Sequence, residues 1–210
     1  MLYDSRATAG RDLSTSLGHL RDSNPLVLGL PRGGVPVAAE VARALQADLD
    51  VIIVRKLGVP WQPELAMGAL GEDDVRVLND DVVKQTGVTA LAFATVEAAE
   101  RRELRRRVRM LRGDRPRIPP SGRVVVIVDD GMATGATAAA ACRVARAQHA
   151  ARVVVAVPVS STEAVARLEA EADEVVCPLV PSWLGGVGGA YRDFHQLTDR
   201  EVTLALGLST

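Results

Sequence analysis

The chain has 210 residues, of which 48% are hydrophobic and 24% charged, enough apolar material for a core and too much for a wholly disordered polypeptide. Lys plus Arg (25) nearly balances Asp plus Glu (26), so the net charge of −1 advertises neither a nucleic-acid nor a membrane surface. Two cysteines, Cys142 and Cys177, are too few for a disulfide framework or a zinc cluster. The first twenty residues carry acids where a signal peptide needs a basic start, and no window reaches the roughly 18 apolar residues of a membrane span. A cytoplasmic protein with no membrane association is the expectation.

Four short runs rich in β-branched residues lack polar alternation and read as strands buried on both faces: Leu26–Leu30, Val51–Val54, Val124–Val128 and Val153–Val157. Val175–Cys177 reads as a fifth, weaker strand. The intervening stretches Gly34–Ala47, Thr137–Gln148 and Thr162–Ala172 have helical composition and crossover length, so the fold class is α/β with a doubly wound, mainly parallel sheet. One domain over residues 1–210 is expected, with an insertion at about 57–122. In it, residues 57–80 read as a loop or small hairpin and 89–112 as a long charged helix. Val96, Leu104, Val108 and Leu111 give that helix a partial apolar stripe, and Glu97–Arg101 and Glu103–Arg107 are favourable pairs four residues apart.

The segment VVVIVDDGMATGAT (124–137) carries the chemistry. An apolar strand ends in Asp129 and Asp130, and the small-residue loop Gly131, Met132, Ala133, Thr134, Gly135, Ala136, Thr137 runs straight into an Ala-rich helix. Small residues admit an anion to the backbone, and a helix start offers unpaired N–H groups at its positive end. Two carboxylates beside a phosphate cradle call for sugar hydroxyls or a hydrated divalent cation. The loop has no lysine, which excludes a Walker A motif, and GLPRGG after the first strand lacks the GxGxxG spacing of a dinucleotide site.

Asp129–Thr137 resembles the phosphoribosyl diphosphate signature of type I phosphoribosyltransferases. Pro31-Arg32-Gly33-Gly34 is similar to that family's pyrophosphate loop, and Arg55-Lys56, LAMGAL and DFHQLTDREV resemble an uncharacterised bacterial subgroup. The resemblance implies that Asp129 and Asp130 hold the ribose hydroxyls and, through water, Mg²⁺, and that Gly131–Thr137 binds the 5′-phosphate. Arg32, Gly33, Gly34, Arg55 and Lys56 are then expected at the pyrophosphate. PRGG, RK and DDGMATGAT each fall at the carboxyl end of a predicted strand, where open α/β sheets bind ligands.

The implied reaction is Mg²⁺-dependent transfer of a phosphoribosyl group from phosphoribosyl diphosphate to a nitrogenous base. Residues 57–71 take the place of the family's mobile flap, with Glu64 a candidate contact to base or leaving group and Trp61 the other conspicuous side chain. Ala133 stands where 6-oxopurine members carry an aspartate, which disfavours that substrate class. Trp183 and Tyr191 are the candidate stacking faces for the base. The alternative reading is a regulator of the same fold that senses phosphoribosyl diphosphate or a nucleotide, and hydrolysis in the same crevice remains open. The nine arginines of Arg101–Arg117 would suit a nucleic-acid partner, but without interleaved aromatics they read as a solvated helix face. Oligomeric state is not readable from the sequence; relatives in the family are commonly dimers, which makes a homodimer the partner the resemblance offers.

Overall fold

A computed structural model describes residues 3–207. Five parallel strands form the main sheet: β1 (Leu26–Gly29), β2 (Asp48–Val51), β6 (Val124–Val128), β7 (Arg152–Ala156) and β8 (Glu174–Val176), in the spatial order β2-β1-β6-β7-β8. Side chains alternate across a strand, so each one feeds two cores. Leu26, Leu28, Val125, Ile127, Val153 and Val155 meet α5 (Ala136–Ala147) and α6 (Thr162–Glu169) on one face. Val27, Val126, Val128 and Val154 meet α1 (Arg6–Thr15) and α2 (Gly34–Leu45) on the other.

The second strand lies three residues earlier than the apolar run Val51–Val54 predicts. Asp48, Leu49, Asp50 and Val51 pair in parallel register with Leu26–Gly29, while Ile52–Val54 are irregular. A buried carboxylate hides the strand from an apolarity reading: Asp50 is almost fully enclosed and held by Arg112 Nη1 at 2.8 and 2.9 Å. Arg55 and Lys56 therefore do not end a parallel strand as expected. They open β3 (Arg55–Val59) of a separate antiparallel sheet, β3-β4-β5, with β4 at Gln62–Leu70 and β5 at Arg76–Leu78.

This second sheet has a buried base and an exposed tip. Leu57, Val59, Met67 and Leu70 join Leu104 and Leu111 of α4 (Ala90–Arg112) in a third core, which also takes in Val202 of α7 (Asp199–Ala205). Trp61, at the β3–β4 turn, is 62% exposed. A short α3 (Asp80–Thr86), capped by the Asn79 side chain on Val82 N–H, precedes α4 and was not anticipated. The long helix ends at Gly113, whose positive φ of 54° favours glycine. Both expected Glu–Arg pairs form on it, at 2.8 Å each.

Candidate active site

The crevice opens where β1 and β6 end side by side. β1 runs into Pro31-Arg32-Gly33-Gly34 and α2, and β6 runs into Asp129–Thr137 and α5. The two turns are pressed together, and glycine is what permits it. A Cβ on Gly33 would collide with the Asp130 carboxylate, and one on Gly34 with the Val128 carbonyl and Asp129 Cα. Gly33 has ordinary helical angles, so space rather than backbone freedom demands the glycine. The Pro31–Arg32 peptide is cis.

After the acid pair, Met132 N–H donates to Val159 O and Ser161 N–H to Met132 O, splinting the loop against the end of β7. The Met132 side chain is core, so only its backbone belongs to the turn. Gly135 takes a φ of +68° as the cap of α5. Among the described residues the N–H groups of Ala133, Thr134 and Gly135 meet no protein acceptor, and Ala133, Thr134 and Thr137 are exposed. Unpaired amides at a helix start form an anion cradle.

The two aspartates have different surroundings. Asp130 is buried and accepts from Arg6 Nε at 2.8 Å. Arg6 also donates to His195 O at 3.1 Å and lies over the Phe194 ring, 4.1 Å from its centroid. Burial pushes the Asp130 carboxyl up, against the opposing pull of Arg6. Asp129 has no such partner: its Oδ1 accepts the Asp130 N–H at 2.9 Å, and burial together with the Asp130 charge pushes its carboxyl well up. Two acids and one arginine leave a net negative centre of oxygen donors, which fits a hard divalent cation. Among the described residues no group of three His, Cys, Asp or Glu side chains is gathered as a metal site. Mg²⁺ often takes only one or two carboxylates, with ligand phosphates and water completing its shell, so the pair suits it.

Two cavities flank Pro31. One, of about 560 Å³, is lined by Arg55, Lys56, Glu64, Glu100, Arg107 and Thr137 among others. The second, of about 510 Å³, is bounded by Arg6, Arg32, Asp130, Phe194, His195 and Arg107. Arg55 is paired with Glu100 at 2.5 Å, and Lys56 with the exposed Glu64 at 3.3 Å. Arg32 faces the C-terminal segment, donating to Leu197 O at 3.2 Å and pairing with Asp199 at 3.0 Å.

The two aromatic candidates lie apart from these cavities. Tyr191 is buried between Tyr3 and Phe194, and its hydroxyl donates to Asp130 O at 2.5 Å, bracing the acid pair from behind. Trp183 is 81% exposed and lines a third hollow with Val159, Leu179 and Leu184. Arg6, Phe194 and Arg107 were missed by the sequence reading. The crowding of aromatics at 183–194 was the one available signal for Phe194; Arg6 had none, because its partner is 124 positions away.

No helix among the described residues is long and apolar enough to cross a membrane. The phosphoribosyl transferase domain family matches residues 4–195. Proteins from two strains of Mycobacterium tuberculosis, each named as a provisional phosphoribosyl transferase, are 57% identical over 205 residues. The match covers 98% of this chain and 46% of each relative, so the chain spans about half the length of these curated relatives. The crystal structure of TT1426 from Thermus thermophilus superposes with a TM-score of 0.90 at 45% identity, covering 98% of both chains. The AQ2163 protein from Aquifex aeolicus, at 14% identity over 87% of this chain and 78% of that one, has a TM-score of 0.50 and bears on the fold alone. With nearly its whole length matched and the signature turn built as described, the chain belongs to the phosphoribosyl transferase domain family.

Proposed function

We propose that the crevice transfers a 5-phosphoribosyl group from phosphoribosyl diphosphate to a nitrogenous base in the presence of Mg²⁺. The observation that carries this reading is the contact between Gly33-Gly34 and the Asp129–Asp130 pair, at the start of a turn whose Ala133, Thr134 and Gly135 amides meet no acceptor among the described residues. Phosphate, sugar hydroxyls and diphosphate thus have adjoining places on one small surface.

In this reading the 5′-phosphate sits on the N–H groups of Ala133–Gly135 and the Thr134 and Thr137 hydroxyls, at the positive end of α5. Asp129 and Asp130 accept the ribose hydroxyls and would hold the metal through water. Mg²⁺, when bound, neutralises diphosphate charge. The bond from C1 to the diphosphate oxygen breaks with its electron pair leaving on pyrophosphate. A ring nitrogen of the base then supplies the pair for the new C1–N bond, and the proton that the base gives up passes to the departing pyrophosphate or to solvent. Positive charge that develops on the sugar faces the two carboxylates, whose fixed position costs no reorganisation. The β3–β4 hairpin, whose residues Gly58–Pro60, Pro63 and Glu64 border the larger cavity, excludes water that would hydrolyse the activated sugar.

Calorimetry with phosphoribosyl diphosphate tests this directly. Binding that strengthens with Mg²⁺ in the wild type, and is lost in a folded Asp129→Asn, Asp130→Asn double variant, is expected. Equal binding by that variant would remove the acid pair from the site.

A further inference from the structure

The nine arginines between 101 and 117 have different fates. Arg101 is bonded to Asp74 and Glu97, Arg112 to Asp50 and Glu72, and Arg117 to Asp73. Arg106 spends Nε and Nη2 on the two oxygens of Glu103, at 2.8 and 2.9 Å. Arg107 differs. Its Nε donates to Glu103 Oε1 at 2.8 Å, and among the described residues neither terminal nitrogen meets an acceptor. Held in this way, a side chain 38% exposed reaches the crevice and borders both cavities across Pro31.

Arg55 repeats the arrangement from the opposite element. Its Nε donates to Glu100 Oε2 at 2.5 Å, its terminal nitrogens have no partner among the described residues, and it lines the larger cavity with Lys56, Arg107 and Thr137. Glu100 and Glu103 stand three residues apart on α4, so one helix edge steadies both guanidinium groups. A guanidinium bound through Nε keeps its Nη1–Nη2 edge, with four N–H donors, free for another ligand. Two such forks facing one cavity suit a ligand with several anionic oxygens. A neutral heterocycle could not use so many donors. Thr137 belongs to the phosphate cradle, so that cavity adjoins the place given to the sugar phosphate.

We infer that Arg107 of α4 supplies a second jaw opposite Arg55, already expected at the pyrophosphate, so that the two grip a diphosphate as a clamp. The clamp deepens the transferase reading and rests on it for the source of the diphosphate. Arg107 contacts the leaving group, on a residue that the pyrophosphate loop itself does not contain.

The test is calorimetric titration of inorganic pyrophosphate, with Mg²⁺, into the full chain. Wild type binds, and Arg107→Gln weakens binding about tenfold or more, as expected for losing charge-assisted bonds to an anion. Arg107→Lys retains the charge without the fork and falls between the two. Arg105→Gln, altered at a neighbour that borders a different groove and pairs with Asp74, binds as wild type. Unchanged melting temperatures in Arg107→Gln and Arg107→Lys separate lost binding from lost folding. Wild-type protein that does not bind pyrophosphate, or Arg107→Gln and Arg107→Lys that bind as tightly as wild type, would overturn the clamp. The clamp pattern in a protein that transfers phosphoribose to no base would uphold the clamp and remove the transferase reading.

Discussion

Asp129 and Asp130 are adjacent in sequence, yet their substitutions should move stability in opposite directions. The folded-state pKa of Asp129 is raised by burial and by the Asp130 charge, so its ionised form opposes folding. Its penalty is absent below the ordinary carboxylate pKa, grows as pH rises toward the raised value and is constant above it. Asp129→Asn should therefore stabilise the fold at neutral pH, read as a higher urea midpoint. Asp130→Asn strips a buried guanidinium of its counter-ion and should cost about 3 kcal/mol. Both should abolish turnover. A destabilised Asp129→Asn would contradict the strained environment assigned to it. The acid pair was legible because it directly follows an apolar strand. Arg6, which separates the roles of the two acids, was not, since nothing near residue 6 signals a partner at 130.

At the scale of elements, the inserted helix is fastened to the main sheet by one buried network. Arg112 at the end of α4 bonds Asp50 of β2 and Glu72 after β4, all three nearly enclosed, while Ile118 N–H donates to Asp50 at 2.9 Å. Arg112→Ala leaves two buried acids unpaired and should cost about 3–5 kcal/mol, read from chemical denaturation. A loss under about 1 kcal/mol would mean that the network is not a fastening. On the exposed face, Glu103 is held down at about 2 by Arg106 and Arg107, and Glu97 is lowered by Arg101 and Arg76. A lowered carboxyl contributes stability above its ordinary pKa and loses it as pH falls through the folded value. Hydrogen-exchange protection in α4, taken relative to the intrinsic amide rate at each pH, should thus fall between about pH 4.5 and 2, and less so in Glu103→Gln. The helix itself was legible, since its stripe, its ion pairs and Gly113 all lie within 23 residues. The true start of β2 was not, because Asp48 and Asp50 look like loop until Arg123 is seen beside the first and Arg112 beside the second.

Across the whole molecule, alternating apolar runs and crossover stretches sufficed for the parallel sheet, whose strands bury both faces and so have little polar alternation. The second sheet was legible only as a possible hairpin. Its Gly, Pro and charged residues read as loop, and its apolar base is explained only by the packing of α4 and α7. The crevice collects Arg6 from the first helix, Gly33 from the first crossover, Arg107 from α4, Asp130 from the turn after the central strand and Phe194 near the C-terminal end. Such convergence is a property of topology, not of any one segment. The direct measurement of the central claim is pyrophosphate release from phosphoribosyl diphosphate and Mg²⁺ across a panel of purines, pyrimidines and related nitrogen heterocycles. The account predicts release that depends on one acceptor base. Release with no base present, or silence across the panel from protein that binds the sugar diphosphate, would contradict it.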